Sequence, residues 1–148
     1  MSRSKRMEPV KQLRQQQEIK AAGNLSQAQQ RYQEARQRLE ELKVYKNEYL
    51  SEFSHKAQKG MSGSQLQHYK TFLGQIDNAI NQQQQQTDKL NFELGEQRKS
   101  WQSKHAKTQA ISRYQQKMQT QENQRLEAAQ QKTTEDYFNG RPGVQKPQ

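Results

Sequence analysis

From Leu25 onward, steps of three and four residues land on Leu25, Ala28, Tyr32, Ala35, Leu39, Leu42, Lys46, Tyr49 and Phe53. Eight of these nine positions are apolar or aromatic, and the residues between them are almost all Gln, Arg, Glu and Lys. A repeat of this kind is a heptad seam, the pattern that makes helices supercoil around one another. Upstream, Val10, Leu13 and Ala21 continue it loosely. The phase slips near Ala21-Ala22-Gly23, as at a stutter.

Composition says how thin that seam must be. Hydrophobic residues make up 28% of the 148 positions, and mean hydropathy is -1.47. An ordinary globular domain is about 45–50% apolar, so a thick core is excluded. Two classes survive: a disordered polar chain, or long helices with a narrow apolar stripe. Thirty glutamines, with Lys, Arg, Glu, Leu and Ala, favour helix, and no proline lies between Val10 and Arg141. There is no cysteine, hence no disulfide framework and no thiolate metal site. No run of about 18 apolar residues offers a membrane span. The start, MSRSKRMEPV, is basic but lacks the apolar stretch of a secretory signal.

The seam breaks at Lys59-Gly60-Met61-Ser62-Gly63-Ser64. Gly60 suits a helix C-cap, and Ser62 or Ser64 suits an N-cap. Beyond it the stepping resumes at Leu66, Tyr69, Leu73, Ile76 and Ile80. It continues, more mixed, through Gln83, Thr87, Leu90, Leu94, Gln97, Trp101, Lys104, Thr108, Ile111, Gln115 and Met118. The expected fold is all-α: an antiparallel two-stranded coiled coil, a long helical hairpin forming a single domain over residues 1–138. Helix one covers about 7–58, the turn about 59–63 and helix two about 64–137. Asn139-Gly140-Arg141-Pro142-Gly143 should end the helix and leave 139–148 as a disordered tail.

A short loop makes antiparallel neighbours, so facing residues should sum to about 123, with Trp101 opposite Ala21-Ala22-Gly23. At about 1.5 Å per residue, helix one spans about 75–80 Å and helix two about 110 Å. Helix two therefore overhangs the N-terminus without a partner. A thin seam set against backbone ordering costs of about 1–2 kcal/mol per residue makes such a hairpin marginal, with fraying ends. The run Gln82 to Gln86 reads either as an aggregation-prone tract or as solvated helix surface, and helix propensity favours the second.

Charge is uneven. Residues 41–97 carry six basic and seven acidic side chains, while Arg98 to Lys117 carry six basic and none acidic. Residues 1–40 add nine basic and four acidic. In a hairpin the two basic stretches meet at the open end, which suits an acidic protein pore, an anionic membrane surface or nucleic acid, or simply a solvated face. His55, His68 and His105 are dispersed, with no carboxylate or cysteine cluster to complete a metal set. No phosphate loop occurs, and two helices form no water-excluding pocket. The expectation is a protein that is not an enzyme, with no cofactor and no metal.

Phe72, Ile76, Ala79 and Gln83 recur at helical spacing beside the seam. This stripe is either a docking edge for a partner or a flank that shields the seam. Tyr45 and Tyr49, around Glu48, suit a seam edge or an interface.

At these residues the chain resembles the FliJ family, flagellar type III export chaperones and ATPase-stalk proteins. Met7-Glu8-Pro9-Val10 through Leu13 resembles the family's opening. Tyr45-Lys46-Asn47-Glu48-Tyr49 resembles its YxxEY stretch. Tyr69, Phe72 and Asp77-Asn78-Ala79-Ile80-Asn81-Gln82 resemble its YxxF…AIxQ block, and Arg98 with Trp101 its RxxW signature. Gln131-Lys132 followed by Glu135-Asp136 resembles its ending. The likeness covers about residues 5–138.

The resemblance implies a coiled coil similar to the central stalk of rotary ATPases. It implies a component of bacterial flagellum biogenesis and protein export, and so of motility and chemotaxis. Its partners would be the export ATPase FliI with FliH, the cytoplasmic domain of the export gate FlhA, and export chaperones. The location would be cytoplasmic, peripheral on the inner membrane. The gate contact maps to Phe72, Ile76 and Ala79, with Gln83 where relatives can carry His. The end facing the ATPase ring would hold Arg6, Lys11, Arg14, Arg98, Lys99, Lys104 and Lys107. The equivalent stalk of a virulence secretion system and a basic nucleic-acid-binding coiled coil are the alternatives; YKNEY and AINQ favour the flagellar branch.

Overall fold

The computed structural model describes residues 2–140. They form α1 (Arg3–Arg6), α2 (Glu8–Gln58) and α3 (Gly63–Gly140), with no strand among the described residues. α1 and α2 are separated only at Met7, whose N–H reaches the carbonyls of Arg3 and Ser4. Pro9 explains the interruption, because without an N–H it leaves the carbonyl one turn earlier without its helical donor.

The turn follows from three residues. Gly60 takes φ +98°, a left-handed conformation that costs glycine little, and its N–H bonds the Ala57 carbonyl at 3.2 Å. Of the two candidate N-caps, Ser62 is used. Its Oγ accepts from the Gln65 N–H and its own N–H donates to Gln65 Oε1, both at 3.2 Å. This reciprocal capping box satisfies two helix-end donors at once.

Contacts group the described residues into two compact units: Lys20–Gln102, and residues 2–19 with 103–140. In the first, the expected seam is the buried one. Ala21, Ala28, Ala35 and Leu39 on α2 and Ile76 and Leu94 on α3 are buried. Leu25, Tyr32, Leu42, Lys46, Tyr49 and Phe53 are half-buried between them. Contacting pairs run in opposite numerical directions: Phe53 with Tyr69, Tyr49 with Phe72, Lys46 with Asp77, Ala35 with Gln83. Their sums fall between 118 and 123, as the turn position requires. Gln82–Gln86 is helical, with Gln83 and Gln84 half-buried and the other three exposed. Leu66, expected to open the second seam, is 36% exposed; ring contacts between the helices begin at Tyr69.

The three small residues Ala21-Ala22-Gly23 differ in burial. Gly23 is exposed, and a Cβ placed on it would meet nothing within 4 Å. The small residue at this level of the seam is Ala21, which is 3% exposed.

In the second unit the seam departs from the expectation. Val10 and Leu13 are 45% and 53% exposed. The shielded positions are Ser4, Met7, Lys11, Arg14 and Glu18, which continue the 3–4 stepping backward from Ala21 without a stutter. The apparent slip arose because the heptad positions here are mostly polar and the apolar residues lie off the seam. Opposite them, Lys104, Thr108, Ile111, Gln115, Met118 and Glu122 keep the same stepping. From residue 123 to 140 every position is helical and exposed, the overhang expected from the unequal helix lengths. Asn139 and Gly140 belong to α3 and not to a tail; the remainder of the expected tail, 141–148, lies outside the described residues.

Candidate functional site

Three groups of side chains are placed by this architecture. The first is aromatic. The 3–4 repeat brings Tyr49 and Phe53 on α2 against Tyr69 on α3, with Tyr45 and Phe72 packed beside the seam. Ring centroids are 4.8 Å apart for Tyr49–Phe72, 5.2 Å for Tyr49–Tyr69 and for Phe53–Tyr69, and 6.3 Å for the edge-on pair Tyr45–Phe72. Loss of water around Tyr49 pushes its phenol above the usual range. The Lys56 ammonium lies 5.7 Å from the Tyr69 ring centroid and 3.1 Å from Glu52. Its hydrogen bond to Tyr69, helped by the one to Glu52, raises it to about 12. An apolar recess of about 180 Å³ opens among Tyr49, Leu50, Phe53, Tyr69 and Leu73.

The expected stripe divides on this background. Phe72 is half-buried with one edge on Tyr45 and Tyr49, and Ala79 is half-buried. Ile76 is 5% exposed and belongs to the seam. Gln83 is engaged across the seam, its Nε2 donating to the Ala35 carbonyl at 3.0 Å. Phe72 and Ala79 are therefore the surface members, and Ile76 supports them from beneath.

The second group is basic. The unit made of residues 2–19 and 103–140 carries eleven basic against six acidic residues. Lys11, Arg14 and Lys104 are half-buried at seam positions, whereas Arg6 and Lys107 are exposed. Arg98 and Lys99 belong to the other unit and are exposed; Lys99 lies 3.6 Å from Glu96.

The third group escaped the reading by residue type. Glu122 accepts from the Ser4 N–H at 3.1 Å and from its hydroxyl at 2.6 Å. Gln115 Nε2 donates to the Ser4 carbonyl at 2.9 Å and to Glu8 at 2.7 Å. The single Thr108 hydroxyl proton is shared between the Lys104 carbonyl of its own helix at 3.0 Å and the Arg14 carbonyl across the seam at 3.2 Å, and His105 Nδ1 meets the Glu18 carboxylate. The hydrogen bond from His105 holds Glu18 below the usual carboxylate range, and those from the Ser4 side chain and backbone do the same for Glu122. Stepping back from Leu25 by fours and threes would have found Glu18, Arg14 and Ser4.

Among the described residues no group of three His, Cys, Asp or Glu side chains could hold a metal ion. No helix there is long and apolar enough to cross a membrane. No curated protein and no solved structure matches the chain. One family does, the Flagellar FliJ protein family, over residues 3–139. With the seam, the turn and the YKNEY and AINQ stretches on two long packed helices, this match makes the chain a member of the FliJ family, whose function is associated with flagellar protein export.

Proposed function

We propose that the chain is a non-catalytic stalk and chaperone of a flagellar type III export apparatus, linking the export ATPase ring to the export gate. In each unit the two helices pair as an antiparallel two-stranded coiled coil, similar to the central stalk of rotary ATPases. The opposed numbering of the contacts in each unit supports that reading. Phe72 and Ala79 are the gate-facing residues, with Gln83 and Ile76 holding the helix beneath them. Arg6, Lys11, Arg14, Arg98, Lys99, Lys104 and Lys107 supply the positive field toward the ATPase FliI and its regulator FliH. The protein works on the cytoplasmic face of the inner membrane through these partners and the export chaperones.

The family match across residues 3–139 carries the proposal. A pull-down with the export ATPase and with the cytoplasmic domain of FlhA tests it. The wild-type chain captures both. Phe72→Ala and Ala79→Asp weaken capture of the gate domain and reduce motility at unchanged helicity. Full motility in both variants would remove the gate assignment.

A further inference from the structure

The two units hold their helices together by different chemistry. In Lys20–Gln102 the buried seam residues are Ala21, Ala28, Ala35, Leu39, Ile76 and Leu94, with Thr87 as the polar exception. Among the described residues of the other unit, Met118 is the one buried apolar side chain, and Ser4 and Thr108 are the buried polar ones. There the helix-to-helix contacts include a ladder of hydrogen bonds, spaced from Ser4–Glu122 through Ser4 and Glu8 to Gln115, and Arg14–Thr108 to Glu18–His105. Apolar surface resists separation because water cannot replace the lost contact. A hydrogen bond at a half-wet seam is replaced by water at small net cost. The same 3–4 geometry therefore carries a strong closure in one unit and a weak one in the other.

We propose that residues 2–19 form a separable strap on residues 103–122. The strap leaves in one cooperative step, bounded by Glu18–His105 at one end and Ser4–Glu122 at the other, while Lys20–Gln102 stays folded. Its departure uncovers Ile111 and Met118, which the strap covers when closed. Local openings of this kind are ordinary for contiguous segments with few buried apolar contacts. Here the device is written into the heptad positions themselves, with Ser4, Lys11, Arg14 and Glu18 standing where an unbroken apolar seam would have locked the ends. The inference does not rest on the export reading.

Hydrogen exchange on the full chain, followed by mass spectrometry, tests it. Peptides from 2–19 and 103–122 exchange at one shared rate, at least about tenfold faster than those from 25–53 and 69–94. Glu18→Ala speeds exchange in both strap segments about tenfold or more, the loss of one charge-assisted hydrogen bond, and leaves 25–53 unchanged. As a second readout, hydrogen peroxide oxidises Met118 faster in that variant, while the rate at Met61, near the turn, is unaltered. Equal exchange in strap and core segments would overturn the proposal. So would a smooth gradient rising toward residue 2, which is simple fraying, or acceleration of all segments together.

Discussion

His105 on α3 and Glu18 on α2 meet across the seam although 87 positions separate them in the chain. An ionised carboxylate can only accept, so Nδ1 carries the proton and donates. Glu18 occupies the heptad position immediately before Ala21, where the repeat would ordinarily place an apolar side chain. The pair marks the level at which the seam changes from apolar to polar.

The carboxylates of this unit give a signed pH dependence. Glu18 and Glu122 both titrate below the ordinary 4.5, because each accepts hydrogen bonds that favour its ionised form. Their contribution to stability is complete above about 4.5 and is lost as pH falls through the lower folded values. Contacts between residues 2–19 and 103–122 should be indifferent to acidification from pH 7 to 5 as far as these two groups are concerned, and should weaken below 4.5. The Ser4 amide, which donates to Glu122, reports this in an NMR titration. Its midpoint should lie below 4.5, and one above would contradict the assigned bonds.

Ala21, Ala28 and Ala35 are spaced by seven and are 3%, 7% and 4% exposed. Side chains this small let the facing helix approach, and Gln83 exploits the approach by reaching the Ala35 carbonyl. Ala35→Leu overfills the seam and breaks that bond. The expected loss is about 1–3 kcal/mol, read as a lower urea midpoint with little change in helicity at zero denaturant.

The apolar half of the molecule was legible because residue type and position agreed. From Leu25 to Phe53 the 3–4 stepping coincides with burial at every position, and Gly60 and Ser62 announce the turn by chemistry that few other residues supply. The polar half was misread for the opposite reason. Val10 and Leu13 attract the eye but face solvent, and Ser4, Arg14 and Glu18 keep the register with side chains that no hydropathy pattern selects. The exposed edge was half legible. Spacing found Phe72 and Ile76 on one stripe, but only packing separates a residue that touches Tyr45 and Tyr49 at the surface from one buried in the seam.

That separation predicts different outcomes for two neighbours on α3. Ile76→Ala removes a buried branched side chain and should cost about 2–5 kcal/mol. Any loss of binding in that variant would then include loss of structure. Phe72→Ala forfeits ring contacts worth about 0.5–1.5 kcal/mol each and leaves the buried seam in place. Paired urea titrations should therefore rank Ile76→Ala below Phe72→Ala. Equal midpoints would show that Phe72 is as structural as Ile76.

Two glycines flank the turn and should answer substitution with opposite signs. Gly60 sits at φ +98°, and Gly63 is the first residue of α3 with ordinary backbone. Neither would clash, since an added Cβ meets nothing within 4 Å at either position. Any effect must then come from the backbone. Gly60→Ala forces an L side chain into the left-handed region and should cost about 1–2 kcal/mol. Gly60→Asn should cost less, since Asn tolerates that conformation. Gly63→Ala only restricts the unfolded chain and should be neutral to stabilising, by up to about 1 kcal/mol. Thermal unfolding of the three variants decides the matter. If Gly60→Ala and Gly63→Ala shift the midpoint in the same direction, backbone conformation is not what sets the turn, and the register of the seam must come from the heptad contacts alone.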